Sequence, residues 1–115
     1  MSDTSKPVYL RLRDIISASI LDGKYRDGDL LPSVRAFAAQ QSANPLTVAK
    51  AYQSFQDEGL ITVKRGVGMF VAEGATRRLR DMERQNFLEH VWPGVAAQMR
   101  RVGISLQDLQ INEKA

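Results

Sequence analysis

The chain contains no cysteine and a single histidine, His90. The first absence removes disulfides, thiolate catalysis and most structural zinc sites. The second leaves no multi-histidine metal site, and a Ser-His-Asp triad is not expected either. No apolar run approaches the roughly 18 residues of a membrane-spanning helix. The opening MSDTSKPVY lacks the apolar core of a secretory signal. The expectation is a cytoplasmic protein with no metal, no cofactor and no membrane partner. One further deficit is local. No acidic residue occurs from Leu30 through Gln56, where an even spread of the 13 Asp and Glu would place about three. Each carboxylate beside a phosphate costs affinity, so a surface cleared of them suits a polyanion.

What is present fits one compact domain with an appendage: 115 residues, 43% of them hydrophobic. The net charge of +3 is mild, and its distribution says more. Basic and acidic groups cancel before Leu30. Residues 30–72 carry Arg35, Lys50, Lys64 and Arg65 against Asp57 and Glu58, and the chain beyond Arg77 is dense in both signs.

Pro7 followed by VYLRLRDIISASILDGKY predicts a first helix, with Val8, Leu12, Ile15, Ile16 and Ile20 at helical spacing and Gly23 as its stop. Arg11, Arg13 and Asp14 are assigned to the opposite face. RDGDLL reads as a turn and a short edge strand. Ser33 is an N-cap candidate for a second helix through Gln41 that turns Val34, Phe37 and Ala38 inward. After Ser42 and Ala43, Asn44-Pro45 starts a third helix: Asn caps, and Pro occupies the first position, where its missing N–H costs nothing. Val48, Ala51, Tyr52 and Phe55 form its buried stripe, and Gly59 its left-handed end. Leu60–Lys64 and Met69–Ala72 alternate as two strands around the tip Arg65-Gly66-Val67-Gly68. This is the outline of a winged helix-turn-helix, mainly α with a small β-hairpin.

From Thr76 a helical arm begins. Leu88, Trp92, Val95, Met99 and Val102 recur at spacings of 4, 3, 4 and 3, a stripe that on a departing helix finds a partner helix. Pro93-Gly94 is expected to kink or break the arm, so that it folds back after Trp92. Gly103 ends it, Ser105-Leu-Gln-Asp108 resembles a capping box, and INEKA is expected to fray. The domains are thus a head over 7–73 and an arm over 76–112.

These residues resemble the GntR family of bacterial transcription regulators. The resemblance covers about residues 7–72. It is carried by Pro7 and Tyr9, Gly23 and Gly28, Leu31-Pro32-Ser33-x-Arg35, Thr47-Val48, Ala51-Tyr52, Glu58-Gly59-x-Ile61 and Gly66-x-Gly68-x-Phe70-Val71. Asn44-Pro45 and the short tail look like the YtrA-type subfamily. Two departures stand out: Gln40-Gln41-Ser42-Ala43 replaces a stretch that usually holds Leu and Val, and Leu46 replaces a commonly polar residue.

The resemblance implies contacts with double-stranded DNA. Arg35 matches a DNA-contacting position, and Tyr9 and Ser33 match positions that reach the DNA backbone. Asn44, Leu46, Thr47 and Lys50 occupy the end of the recognition helix that enters the major groove in helix-turn-helix proteins. Lys64, Arg65 and Gly66 at the wing tip suit the minor groove or its phosphates. Bland readings stand beside these: Arg35 pairing with Asp57, Asn44 only capping, Leu46 packing, and the wing as a solvated turn. Gly66-x-Gly68 lacks the third glycine of a nucleotide loop, and His90 beside Glu89 reads as a surface residue. The expectation is a dimeric, sequence-specific repressor on a pseudo-palindromic operator, with half-sites about one helical turn apart. No motif names an effector. The rival of a different class is a winged-helix module that binds protein and does not read DNA. An enzyme is not expected, since no nucleophile–base pair, metal cluster or phosphate loop is present.

Overall fold

The computed structural model describes residues 6–109. Helix α1 (Val8–Leu21) begins after Pro7, whose fixed φ suits a helix entry and whose carbonyl accepts from the Leu10 and Arg11 N–H groups. It ends at Asp22, with Gly23 in the left-handed region at φ +87°. Helix α2 (Val34–Gln41) is capped by the Ser33 hydroxyl, which accepts from the Ala36 N–H at 3.0 Å. Helix α3 (Pro45–Asp57) is capped by Asn44 and closes at Glu58 before Gly59 at φ +76°.

Strands β1 (Ile61–Lys64) and β2 (Gly68–Val71) pair antiparallel, with Ile61 opposite Val71 and Lys64 opposite Gly68. The expected edge strand is a single bridge from Leu30 to Phe70. It is reinforced by hydrogen bonds from the Leu31 N–H to the Met69 carbonyl and from the Val71 N–H to the Asp29 carbonyl. Gly68 has φ +149°, a conformation that disfavours any other residue, and a Cβ there would displace the Leu30 methyl carbon 2.8 Å away.

The core of the head is Leu12, Ile16 and Ile20 of α1 against Phe37 and Ala38, then Val48, Ala51, Tyr52 and Phe55 of α3, sealed by Leu60, Ile61 and Val71. Helix α4 (Ala75–Asn86) contributes Ala75 and Leu79, both buried in the same cluster. One compact unit accordingly runs through Arg80 and a second begins at Asp81. Val8 and Ile15, expected inside, are exposed. Ile15 lies about 100° around the helix from Ile16, and Val8 precedes the core by a turn. Arg13 does not face solvent as assigned: it is half-buried and ion-paired with Glu58.

In the second unit the helix neither breaks nor folds back at Pro93-Gly94; the interruption expected there is a widened turn just ahead of it. A π-turn (Phe87–Val91) leads straight into α5 (Trp92–Val102), and the Trp92 N–H donates to the Phe87 carbonyl, five residues back. Widening the turn ahead of Pro93 relieves the clash between its ring and the carbonyl four residues earlier, so the chain stays helical instead of folding back. Gly103 caps α5 at φ +73°. Ser105 and Asp108 form the capping box around a 3-10 turn (Leu106–Asp108). The fraying expected over INEKA lies outside the described residues. Between Asp81 and Leu109 no residue is buried.

Candidate nucleic-acid interface

The recognition helix is held from three sides. Phe37 of α2 stacks on Tyr52 of α3 with ring centroids 5.9 Å apart, and the Tyr52 hydroxyl donates to the Pro32 carbonyl at 2.7 Å. Burial, with the nearby Tyr25, raises the Tyr52 hydroxyl above the ordinary tyrosine range. It therefore serves as a neutral donor fixing the start of α2. From α1, the Arg13 guanidinium grips Glu58 through two hydrogen bonds of 3.0 and 3.1 Å, donates to the Ser54 hydroxyl and lies 4.5 Å from the Phe55 ring centroid. At the C-terminus of α3, Arg78 donates to the Glu58 and Gly59 carbonyls at 2.8 and 3.3 Å. A cation on orphan carbonyls at that end also complements the helix dipole.

The turn between α2 and α3 is short. Ser42 takes the left-handed conformation at φ 51°, the one non-glycine residue to do so among the described residues, and the Ala43 N–H donates to the Ala38 carbonyl. Asn44 Oδ1 then accepts from the Leu46 N–H at 2.8 Å. Asn44 therefore does cap, leaving its amide NH₂ outward. Leu46 does not pack: it is 80% exposed. Thr47 is half-buried at the edge of the stripe, and Lys50 stands 4.4 Å from the Tyr9 ring centroid, which joins the first turn of α1 to α3.

Arg35 is exposed on the first turn of α2. Its expected rival partner, Asp57, instead accepts from the Gln53 amide at 2.8 Å. Arg35 and Arg65 make no hydrogen bond or ion pair among the described residues. At the wing tip Gly66 has φ +78°, the Val67 N–H closes the turn on the Lys64 carbonyl, and Lys64 lies 4.7 Å from the Phe70 ring centroid. The base of α4 is secured from a distance: the Asp27 carboxylate accepts from the Thr76 hydroxyl and N–H and the Gly74 N–H at 2.7 to 3.0 Å. These bonds, the Thr76 hydroxyl foremost, hold Asp27 below the ordinary carboxylate range.

Residues 8–71 match the model of the bacterial regulatory proteins of the gntR family. The chain belongs to the GntR family. As a GntR protein it is a DNA-binding transcription regulator with a winged helix-turn-helix head. It is 40% identical over 76 residues to the HTH-type transcriptional repressor YtrA of Bacillus subtilis, covering 66% of this chain and 58% of that protein. A GntR family transcriptional regulator from Listeria monocytogenes superposes with a TM-score of 0.75 at 27% identity, over 95% of this chain and 93% of that one. The AraR DNA-binding domain in complex with operator ORE1 superposes with a TM-score of 0.56 at 28% identity, over 58% of this chain and 82% of that one.

Sequence reasoning missed two groups that shape this interface. Helical periodicity alone turns Arg13 outward, because its partner Glu58 is 45 positions away. Asp27 carries no signal of its own, since its partners Gly74 and Thr76 lie 47 and 49 positions on.

Proposed function

We propose that the protein is a homodimeric repressor that reads a pseudo-palindromic operator in the cytoplasm, through the front of α3 and the wing. The observation that carries this reading is a division of labour among the cations. Arg13 and Arg78 are committed to internal partners, whereas Arg35, at a family contact position, and Arg65, at the wing tip, are exposed and make no hydrogen bond or ion pair among the described residues. Lys50 and Lys64 rest on aromatic faces that restrict them while their charge stays outward, so little entropy is lost when they meet phosphate. Arg35 at the positive end of α2 suits a phosphate. Thr47 and Leu46 face base edges, and Arg65 with Gly66 enters or borders the minor groove. Tyr9 and Ser33 complete the backbone contacts.

The arm supplies the symmetry. Among the described residues the second unit buries none of its own, yet Phe87, Leu88, Val91, Val95 and Val102 are each at least 39% exposed, with Trp92 and Met99 half-exposed among them. An apolar surface of that extent asks for cover. The same arm on a second copy covers it and sets the distance between two recognition helices. The name of the YtrA relative supports repression as the direction of control. Selection of bound duplexes from a random pool tests the reading: an inverted repeat should be enriched. Enrichment of a lone half-site removes the dimer, and no enrichment with retained salt-insensitive protein binding favours an interaction module.

A further inference from the structure

Leu46 is the most exposed large apolar side chain among the described residues. Its surroundings narrow what it can meet. The backbone donors of the first turn of α3 are already used. Pro45 has none, the Leu46 N–H goes to Asn44 Oδ1, and the Thr47 and Val48 N–H groups go to the Asn44 carbonyl at 2.9 and 3.1 Å. A phosphate or a base acceptor therefore finds no spare backbone N–H there, unlike at most helix starts. No charged residue stands between Asn44 and Ala49, and the first that follows, Lys50, leans on Tyr9. Gln53, one turn further on, has its amide engaged with Asp57. What this turn offers a groove is an isobutyl group flanked by one amide and one hydroxyl.

Among base edges in the major groove only thymine presents a methyl group. We propose that Leu46 is a specificity-determining residue that reads thymine, its δ-methyls closing over the 5-methyl of one thymine in each half-site. This rests on the entry of α3 into the major groove argued above. The gain comes from removing two apolar surfaces from water, so it discriminates against cytosine and against uracil alike.

The test uses the full-length protein and its selected operator duplex, with deoxyuridine replacing thymine one position at a time. That exchange deletes the methyl and keeps the pairing. One position per half-site should lose about four-fold in affinity, the effect of one buried methyl-sized group. Leu46→Ala should melt as the wild type does, bind more weakly, and be indifferent to deoxyuridine at that position. Thr47→Ser, which deletes the neighbouring methyl, should keep the deoxyuridine effect. Three results overturn the proposal: no sensitive thymine, an effect undiminished in Leu46→Ala, or an effect abolished by Thr47→Ser alone. Failure of the underlying reading looks different, because then no sequence is enriched and Thr47→Ala and Arg65→Ala are silent as well.

Discussion

Two arginines of the head should fail in opposite ways when replaced. Arg13 makes two charge-assisted bonds to Glu58, and the side chains are 21% and 36% exposed. A fully exposed pair contributes about 0.2–1 kcal/mol, and a hydrogen bond to a charged group up to about 3. Half-burial with bidentate geometry places this pair at about 1–1.5 kcal/mol. The guanidinium over Phe55 adds about 0.5–1 kcal/mol. Arg13→Ala should thus cost about 2 kcal/mol, which for a head of this size lowers Tm by about 8–16 °C. Arg35 is exposed and makes no hydrogen bond or ion pair among the described residues, so Arg35→Ala should move Tm by less than about 3 °C. Circular dichroism melts measure both. Fluorescence anisotropy with an operator duplex, well below either Tm, supplies the other half. There Arg35→Ala should weaken binding and flatten its salt dependence by about 0.9 in the log–log slope per copy, whereas Arg13→Ala should bind nearly as well as the wild type. A destabilised Arg35→Ala that still binds, with an unperturbed Arg13→Ala, would refute the division of labour among the cations.

Asp27 is held below its ordinary value of 3.8 by the Thr76 and Gly74 donors, so its contribution is full above that value and fades as pH falls through the lower folded value. Melting temperature across about pH 2–5 should therefore fall more steeply for the wild type than for Asp27→Asn, and parallel curves would remove Asp27 as the cap of α4. Arg65→Ala should weaken operator and random duplexes alike, whereas Thr47→Ala should reduce their ratio, by about 1–3 kcal/mol at most; competition binding separates the two. Trp92→Ala should shift the dimer towards monomer, and a chain ending at Arg80 should sediment as a folded monomer. A full-length chain that is monomeric at micromolar concentration would leave the arm without its partner.

The head was legible in the sequence because its signals are local. Ser33, Asn44-Pro45, Gly59 and the Arg65-Gly66 tip act within a few residues of themselves, and each turned up as a cap, a helix start, a helix end and a hairpin turn. The α1 stripe was legible only in part, since periodicity cannot tell Ile16 from the flanking Ile15 without knowing where α3 lies. The π-turn was invisible for a related reason: Pro93 signals an obstacle but not how the preceding turn relieves it. Arg13 with Glu58 and Asp27 with Thr76 were illegible because tertiary structure alone makes them neighbours. At the interface, motif positions marked which residues to watch. The structure added which of them are spare, and that Leu46 stands in solvent.

The salt dependence of operator affinity counts the cations that meet phosphate. Four cations per copy, Arg35, Lys50, Lys64 and Arg65, face the duplex in this account. A dimer with all of them on phosphates should show a slope of log Kobs against log salt of about −7, and a single copy about half of that. A slope near −7, reduced in each of the four alanine variants, is the predicted result. A slope near zero, or one untouched by all four substitutions, would contradict the account.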